Sequence, residues 1–157
     1  MMDGDDGDVL RIGWRERIAL PDLGIRRMRA KIDTGARTAA LHAEDAHVAT
    51  RGGVRGVAFR VPLGRDRMGD AFAPLAGRRR VKNTSGVPEE RLTIRTRLTL
   101  GGRTWLIDVT LADRGPMGFN LILGRTAFDG QRVLIDPHAA YLAEPPRRKR
   151  RTAGDRA

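Results

Sequence analysis

Between residues 92 and 111 the chain alternates with a period of two on both sides of a glycine pair. Leu92, Ile94, Leu98 and Leu100 alternate with Thr93, Arg95, Arg97 and Thr99, Gly101-Gly102 follows, and Trp105, Ile107, Val109 and Leu111 alternate again. Successive side chains of a strand point to opposite faces, so this pattern describes a β-hairpin with one apolar and one polar face. A hairpin of that length cannot bury its apolar face alone and must pack against further strands. The rest of the chain supplies them. Residues 12–20 and 28–32 flank the turn-like Pro21-Asp22-Leu23-Gly24 and form a second expected hairpin, which runs directly into Asp33. Residues 54–63 read as a strand. Residues 64–88 mix Gly, Pro, Arg and polar residues with little periodicity and read as exposed or mobile structure over a site. Near the end, Asn120-Leu121-Ile122-Leu123-Gly124 is an apolar run closed by Gly. Arg125-Thr126-Ala127-Phe128 is expected as one short helix stopped by Gly130, and residues 133–136 and 139–142 as closing strands.

At 157 residues, 40% of them hydrophobic, the chain has material for one domain and one core. With 19 glycines, 8 prolines and no long helical pattern, the composition agrees with an all-β fold. There is no cysteine, which excludes disulfides, thiol nucleophiles and Cys-ligated zinc. Asp3, Asp5, Asp6 and Asp8 stand where a signal peptide would carry positive charge, and no apolar run has membrane-spanning length, so a cytoplasmic protein without membrane contact is expected. The expected organisation is a disordered acidic N-terminus over 1–10, a folded domain over 11–144 and a disordered basic tail over 145–157 that includes Arg147-Arg148-Lys149-Arg150-Arg151. The two ends nearly cancel in charge, so the body itself carries almost all of the net +11. Such a field draws acidic partners, and the tail reads either as a solvated arm or as a contact for nucleic acid.

Asp33-Thr34-Gly35 is by itself a common turn. Its context adds weight. An acid that works on a peptide bond needs a buried strand before it for rigidity, a small hydroxyl residue to tie the loop, and Gly where substrate and backbone approach closely. Ala30-Lys31-Ile32 before the acid and Ala36 after it suit those needs. Together with Ile122-Leu123-Gly124-Arg125, a pair of apolar residues and a Gly before a short helix, the chain resembles the retropepsins. It is more closely similar to a bacterial retropepsin-like family associated with the ATP-grasp ligase that adds glutamate to a ribosomal protein. The likeness covers about residues 11–143 and rests on Gly13-Trp14-Arg15-Glu16, residues 31–38, Leu41-His42-Ala43, Arg91, the Gly101-Gly102 hairpin and Leu123-Gly124-Arg125.

The resemblance implies an all-β, closed retropepsin-like barrel with one short helix near the C-terminus. It implies Asp33 as catalytic acid with Thr34 and Gly35 in its loop, and Ala36, Arg37 and Arg125 as candidates for substrate binding. The chemistry wants two carboxyl groups sharing a proton, one to activate water and one to protonate the substrate carbonyl, whereas the chain has a single Asp-Thr-Gly. A twofold homodimer that sets Asp33 beside its symmetry mate is the simplest remedy. Arg37 would then favour an acidic peptide or protein substrate, and the family association adds the ribosomal-protein glutamate ligase as a partner. No cofactor is expected, because no phosphate-binding Gly-rich loop with Lys is present. No metal is expected either: His42, His47 and His138 lack the spacing of a compact ligand set. The competing reading is a non-enzymatic basic module that binds RNA or an acidic protein. A zinc peptidase is the third.

Overall fold

The computed structural model describes residues 8–64, 66–82, 85–113 and 118–143. Most of the expected acidic N-terminus and all of the expected basic tail therefore lie outside the described residues. Among the described residues there are eleven strands, two short 3-10 turns and no α-helix. The strands are β1 (Leu10–Gly13), β2 (Arg15–Leu20), β3 (Ile25–Ile32), β4 (Ala39–His42), β5 (Glu44–Arg51), β6 (Val54–Gly64), β7 (Arg67–Lys82), β8 (Pro88–Leu100), β9 (Arg103–Ala112), β10 (Leu121–Leu123) and β11 (Val133–Asp136).

The alternation of residues 92–111 becomes β8 and β9, paired antiparallel from Thr93 opposite Thr110 to Leu100 opposite Arg103. Gly101 and Gly102 form the two-residue connection with φ of 62° and 82°, a left-handed pair that side chains would oppose. Leu98, Ile94, Val109 and Ile107 turn inward and are buried, while Arg95, Arg97 and Asp108 turn out. Neighbouring strands follow in the order β2, β3, β10, β4, β9 and β8, and pairing of Ala19 with Thr99 joins β8 back to β2. Six strands thus close on themselves and leave no edge within the ring. Ile18, Leu20, Ala30, Leu41, Leu121 and Leu123 fill it, each under 4% exposed. The all-β closed barrel expected from the sequence is present, and the expected short helix is a 3-10 turn at Arg125–Phe128.

Outside the ring, β7, β6 and β5 extend the sheet from β8. Residues 64–88 were expected to be irregular; instead they contain β7, which pairs with β6 along one half and with β8 along the other. Only Ala71 and Ala73 of β7 are buried, so the strand is ordered by backbone pairing on both sides, with almost no apolar periodicity to announce it.

The expected first strand is broken at Trp14 into β1 and β2, and β1 pairs in parallel with β11. Residues 139–142 form no strand. Their backbone bends, with Tyr141 at φ 58°, because the amides of Leu142 and Ala143 turn onto the carboxylate of Glu16 at 2.8 and 3.1 Å. Glu16 is fully buried and also accepts from the Gly13 amide at 2.7 Å. One inward carboxylate therefore ties the β1–β2 corner to the C-terminal segment.

On the outer surface, Asp22 in the turn between β2 and β3 meets Arg97 of β8, with Nη2 to Oδ1 at 2.5 Å and the Arg97 amide to Oδ2 at 3.1 Å. The Arg97 side-chain hydrogen bond, its amide and its charge together hold the Asp22 carboxyl below its ordinary value despite some desolvation. A depressed folded-state pKa means that the stabilisation is complete above the ordinary carboxylate pKa of about 4 and disappears as pH falls through the lower folded value. Asp22→Asn is expected to lower the melting temperature slightly at pH 7 and to leave it unchanged at the bottom of that acid range, as read by thermal melts across pH. Both groups are partly solvated, so the effect is small.

Candidate active site

Strand β3 carries the chain from the barrel core to Asp33. Ile32 is buried, and its amide donates to the Trp14 carbonyl at 2.8 Å, while the Asp33 amide donates to the Leu123 carbonyl at 3.0 Å. The acid is thus fixed from two sides by β10 and by the β1–β2 corner. Its own side chain completes the loop: Oδ1 accepts from the Gly35 amide at 3.0 Å, and the Asp33 carbonyl accepts from the Ala36 amide at 3.1 Å. Asp33 is half-buried, and Thr34 and Gly35 are exposed beside it, so the carboxylate is anchored yet reachable.

The apolar run near the C-terminus lies behind this loop. β10 pairs in parallel with β3, placing Leu123 opposite Ile32, and in antiparallel with β4. Gly124 follows, buried. A Cβ there would stand 2.5 Å from the Thr38 carbonyl oxygen and 2.8 Å from that of Ala36, both backbone atoms, so no larger residue fits. The next residues clamp the loop directly: the Arg125 amide donates to the Ala36 carbonyl and the Thr126 amide to the Arg37 carbonyl, both at 2.9 Å. The Arg125 guanidinium reaches across to the Thr34 carbonyl at 2.8 Å. Trp105 of β9 holds the 3-10 turn in turn, its indole N–H donating to the Ala127 carbonyl at 2.8 Å.

Of the residues singled out from the sequence, Asp33, Thr34, Gly35, Ala36 and Arg37 form one loop and Arg125 contacts it. Arg37 is exposed and opens onto a groove of about 600 Å³ whose walls include Thr38, Arg79, Arg95, Asp108 and Thr126. Arg95 is paired with Asp108 at 2.9 Å. The groove was not legible beforehand, because it depends on the register that sets Arg79 of β7 opposite Arg91 of β8 and Arg95 opposite Asp108 of β9. The histidines lie apart. His42, at the end of β4, is 3.4 Å from Glu44; His47 contacts the Asp45 carbonyl through Nδ1; the His138 amide donates to Asp136. Glu16, which the sequence placed in the Gly13-Trp14-Arg15-Glu16 motif without a role, had one further signal: it shares the inward register of Ile18 and Leu20, where a carboxylate requires partners.

A closed six-stranded barrel with an Asp-Thr-Gly loop at a strand end, backed by an apolar strand and an invading Gly, defines a retropepsin-like domain. Residues 11–146 match the RimB-like family, described as the retropepsin-like aspartic endopeptidase RimB, and the chain belongs to that family. Among curated proteins, a probable alpha-L-glutamate ligase of Parasynechococcus marenigrum is 40% identical over 133 residues, which cover 83% of this chain and 28% of the relative. A probable alpha-L-glutamate ligase of Shewanella pealeana is 33% identical over 133 residues, covering 83% and 29%. The chain spans less than a third of the length of these relatives. Among solved structures, the protein Lpg0085 of Legionella pneumophila, of unknown function, superposes with a TM-score of 0.71 at 25% identity, covering 86% of this chain and 98% of that one.

Proposed function

We propose that the chain is an aspartic peptidase that works as a homodimer, with Asp33 of each copy forming the catalytic pair, and that it hydrolyses peptide or glutamyl amide bonds in acidic substrates. The observation that carries this reading is the anchored loop: a half-buried, accessible carboxylate at the end of a core strand, locked by Gly35 and clamped by residues 124–126. A single carboxylate on that loop asks for a second, and a twofold axis through it supplies one with identical geometry. Two carboxyl groups in contact share one proton. The ionised one takes a proton from a water held between them as that water attacks the scissile carbonyl carbon, while the protonated one donates to the carbonyl oxygen. Collapse of the tetrahedral intermediate breaks the C–N bond, and the departing nitrogen receives a proton from the pair.

The groove beside Arg37, with Arg79 in its wall, offers two guanidinium groups to a carboxylate-rich chain, while Arg95 there is already paired with Asp108. The matched relatives are named as ligases of glutamate, and a hydrolase beside such an enzyme in the cytoplasm would remove or trim what the ligase adds. That reading names the substrate class for a test. Incubation with a peptide bearing a C-terminal oligoglutamate extension, followed by mass spectrometry, is expected to show loss of glutamate residues that persists in the presence of a metal chelator. Loss abolished by chelator would instead favour a metallopeptidase, and no cleavage of any acidic peptide would favour a pure binding module.

A further inference from the structure

Strand β3 reaches Asp33 through Lys31 and Ile32, and β2 runs antiparallel beside it with Arg15 opposite Lys31. Glu16 and Ile32 turn inward and are buried, so their neighbours Arg15 and Lys31 stand on the outward face. Lys31 precedes Asp33 by two residues, a step of about 6.6 Å along an extended backbone. The two cations therefore stand one step from the Asp33 loop.

Arg15 is held against two rings. Its guanidinium lies 4.7 Å from the centre of the Trp14 ring and 5.1 Å from that of Tyr141. The backbone fixes both rings. The Trp14 amide donates to the Ala139 carbonyl and the Trp14 carbonyl accepts from Ile32, both at 2.8 Å, while the indole meets Phe119 edge to face at 6.0 Å. Tyr141 adopts φ 58°, a conformation that costs a non-glycine residue energy. It is kept there by the Leu142 and Ala143 amides on buried Glu16 and by its own amide on the Arg15 carbonyl. Ring contacts restrain a guanidinium plane without using its N–H donors. Nε of Arg15 is closed off from solvent and has no hydrogen-bond partner, and among the described residues no ion pair engages Arg15 or Lys31. A charged donor left so costs stability, and its presence asks for a use outside the fold.

We propose that Arg15, braced by Trp14 and Tyr141 and with Lys31 beside it, receives a side-chain carboxylate of the substrate close to the scissile bond and so sets a preference for an acidic residue there. The inference rests on the peptidase reading of Asp33. The guanidinium plane is oriented before the ligand arrives, so little rotamer freedom is lost on binding, and its two Nη groups match the two oxygens of a carboxylate. Lys31 adds a second positive charge on a flexible stem. Arg15 determines specificity and takes no part in proton transfer.

The test uses the full chain with a C-terminally amidated oligoglutamate peptide and analogues in which one Glu at a time becomes Gln, so that every carboxylate read belongs to a side chain. With the original chain, one replacement beside the cleaved bond is expected to lower kcat/KM about 10- to 100-fold, the effect of losing a charge-assisted hydrogen-bonded pair. In Arg15→Gln that ratio falls to near one. In Arg15→Lys, which keeps the charge and loses the fork, it falls part of the way, and this variant carries the comparison should Arg15→Gln melt early. Equal cleavage of the Glu and Gln peptides by the original chain, or unchanged discrimination in both variants, overturns the inference. If the original chain cleaves no peptide, the peptidase reading falls and binding decides the inference. Labelled oligoglutamate titrated into Asp33→Asn, alone and combined with Arg15→Gln, is then expected to bind at least tenfold more weakly without Arg15, and equal binding overturns it.

Discussion

Asp33→Asn is expected to reduce hydrolysis of an acidic peptide by roughly 10³- to 10⁴-fold while leaving the fold intact. Asparagine keeps the oxygen that accepts from the Gly35 amide, and the main-chain bonds of the loop to Leu123 and Ala36 do not involve the side chain. Melting should therefore shift by less than about 1 kcal/mol in stability. What the substitution removes is the ability to ionise and to carry a proton, which the proposed pair of aspartates would need to activate water. A mixing experiment separates a shared site from an independent one. If each site needs two aspartates, an equal mixture of original and Asp33→Asn chains, allowed to exchange, retains about a quarter of the activity; if each chain works alone, it retains about half. An Asp33→Asn chain with undiminished activity would remove Asp33 from the mechanism.

Glu16→Gln is expected to be the most damaging conservative change outside the loop. The carboxylate is fully buried and meets three backbone donors, those of Gly13, Leu142 and Ala143, at 2.7 to 3.1 Å. A carboxamide offers one acceptor oxygen and turns an NH₂ group toward a remaining N–H, so at least one buried donor loses its partner and a charge-assisted bond is lost with it. The cost is about 2–4 kcal/mol, or roughly 5–15 °C in melting temperature for a domain of this size. The loss should be concentrated at the C-terminal segment, with faster hydrogen exchange at the amides of Leu142 and Ala143. An unchanged melt and unchanged exchange would show that the carboxylate does not hold that segment.

What could be read in advance follows from where side chains carry a signal. The β8–β9 hairpin was legible because Leu92, Ile94, Leu98 and Leu100, with Thr96 interrupting, and then Trp105, Ile107, Val109 and Leu111 fall at alternate positions, and the turn is Gly101-Gly102. β7 was not, since its two buried side chains are both alanines and its order comes from backbone pairing with β6 and β8. Ala139 and its followers looked like a strand because their apolar residues suggested one, yet their amides are spent on Glu16 and on the Arg15 carbonyl. The loop at Asp33 was legible from a contiguous motif and from the Gly before Arg125, which closes on it from far along the chain. The Arg79 and Arg95 groove and the stacked face of β2 and β3 were not, because each joins residues from separate strands through register alone. Nor does the sequence reveal that the Arg125 guanidinium bonds to the Thr34 carbonyl, a contact that gives this side chain a task in holding the loop.

In the proposed homodimer two Asp33 carboxylates meet across a twofold axis. The measurement that addresses it most directly is the distance between Asp33 side chains in crystals of the protein, read beside the mass in solution. For the proposed dimer, carboxylate oxygens of two copies are expected within hydrogen-bonding reach, about 3 Å apart, in a particle of twice the 17.3 kDa chain mass. Asp33 side chains separated in every contact between copies, together with a 17.3 kDa particle at assay concentration, would contradict it.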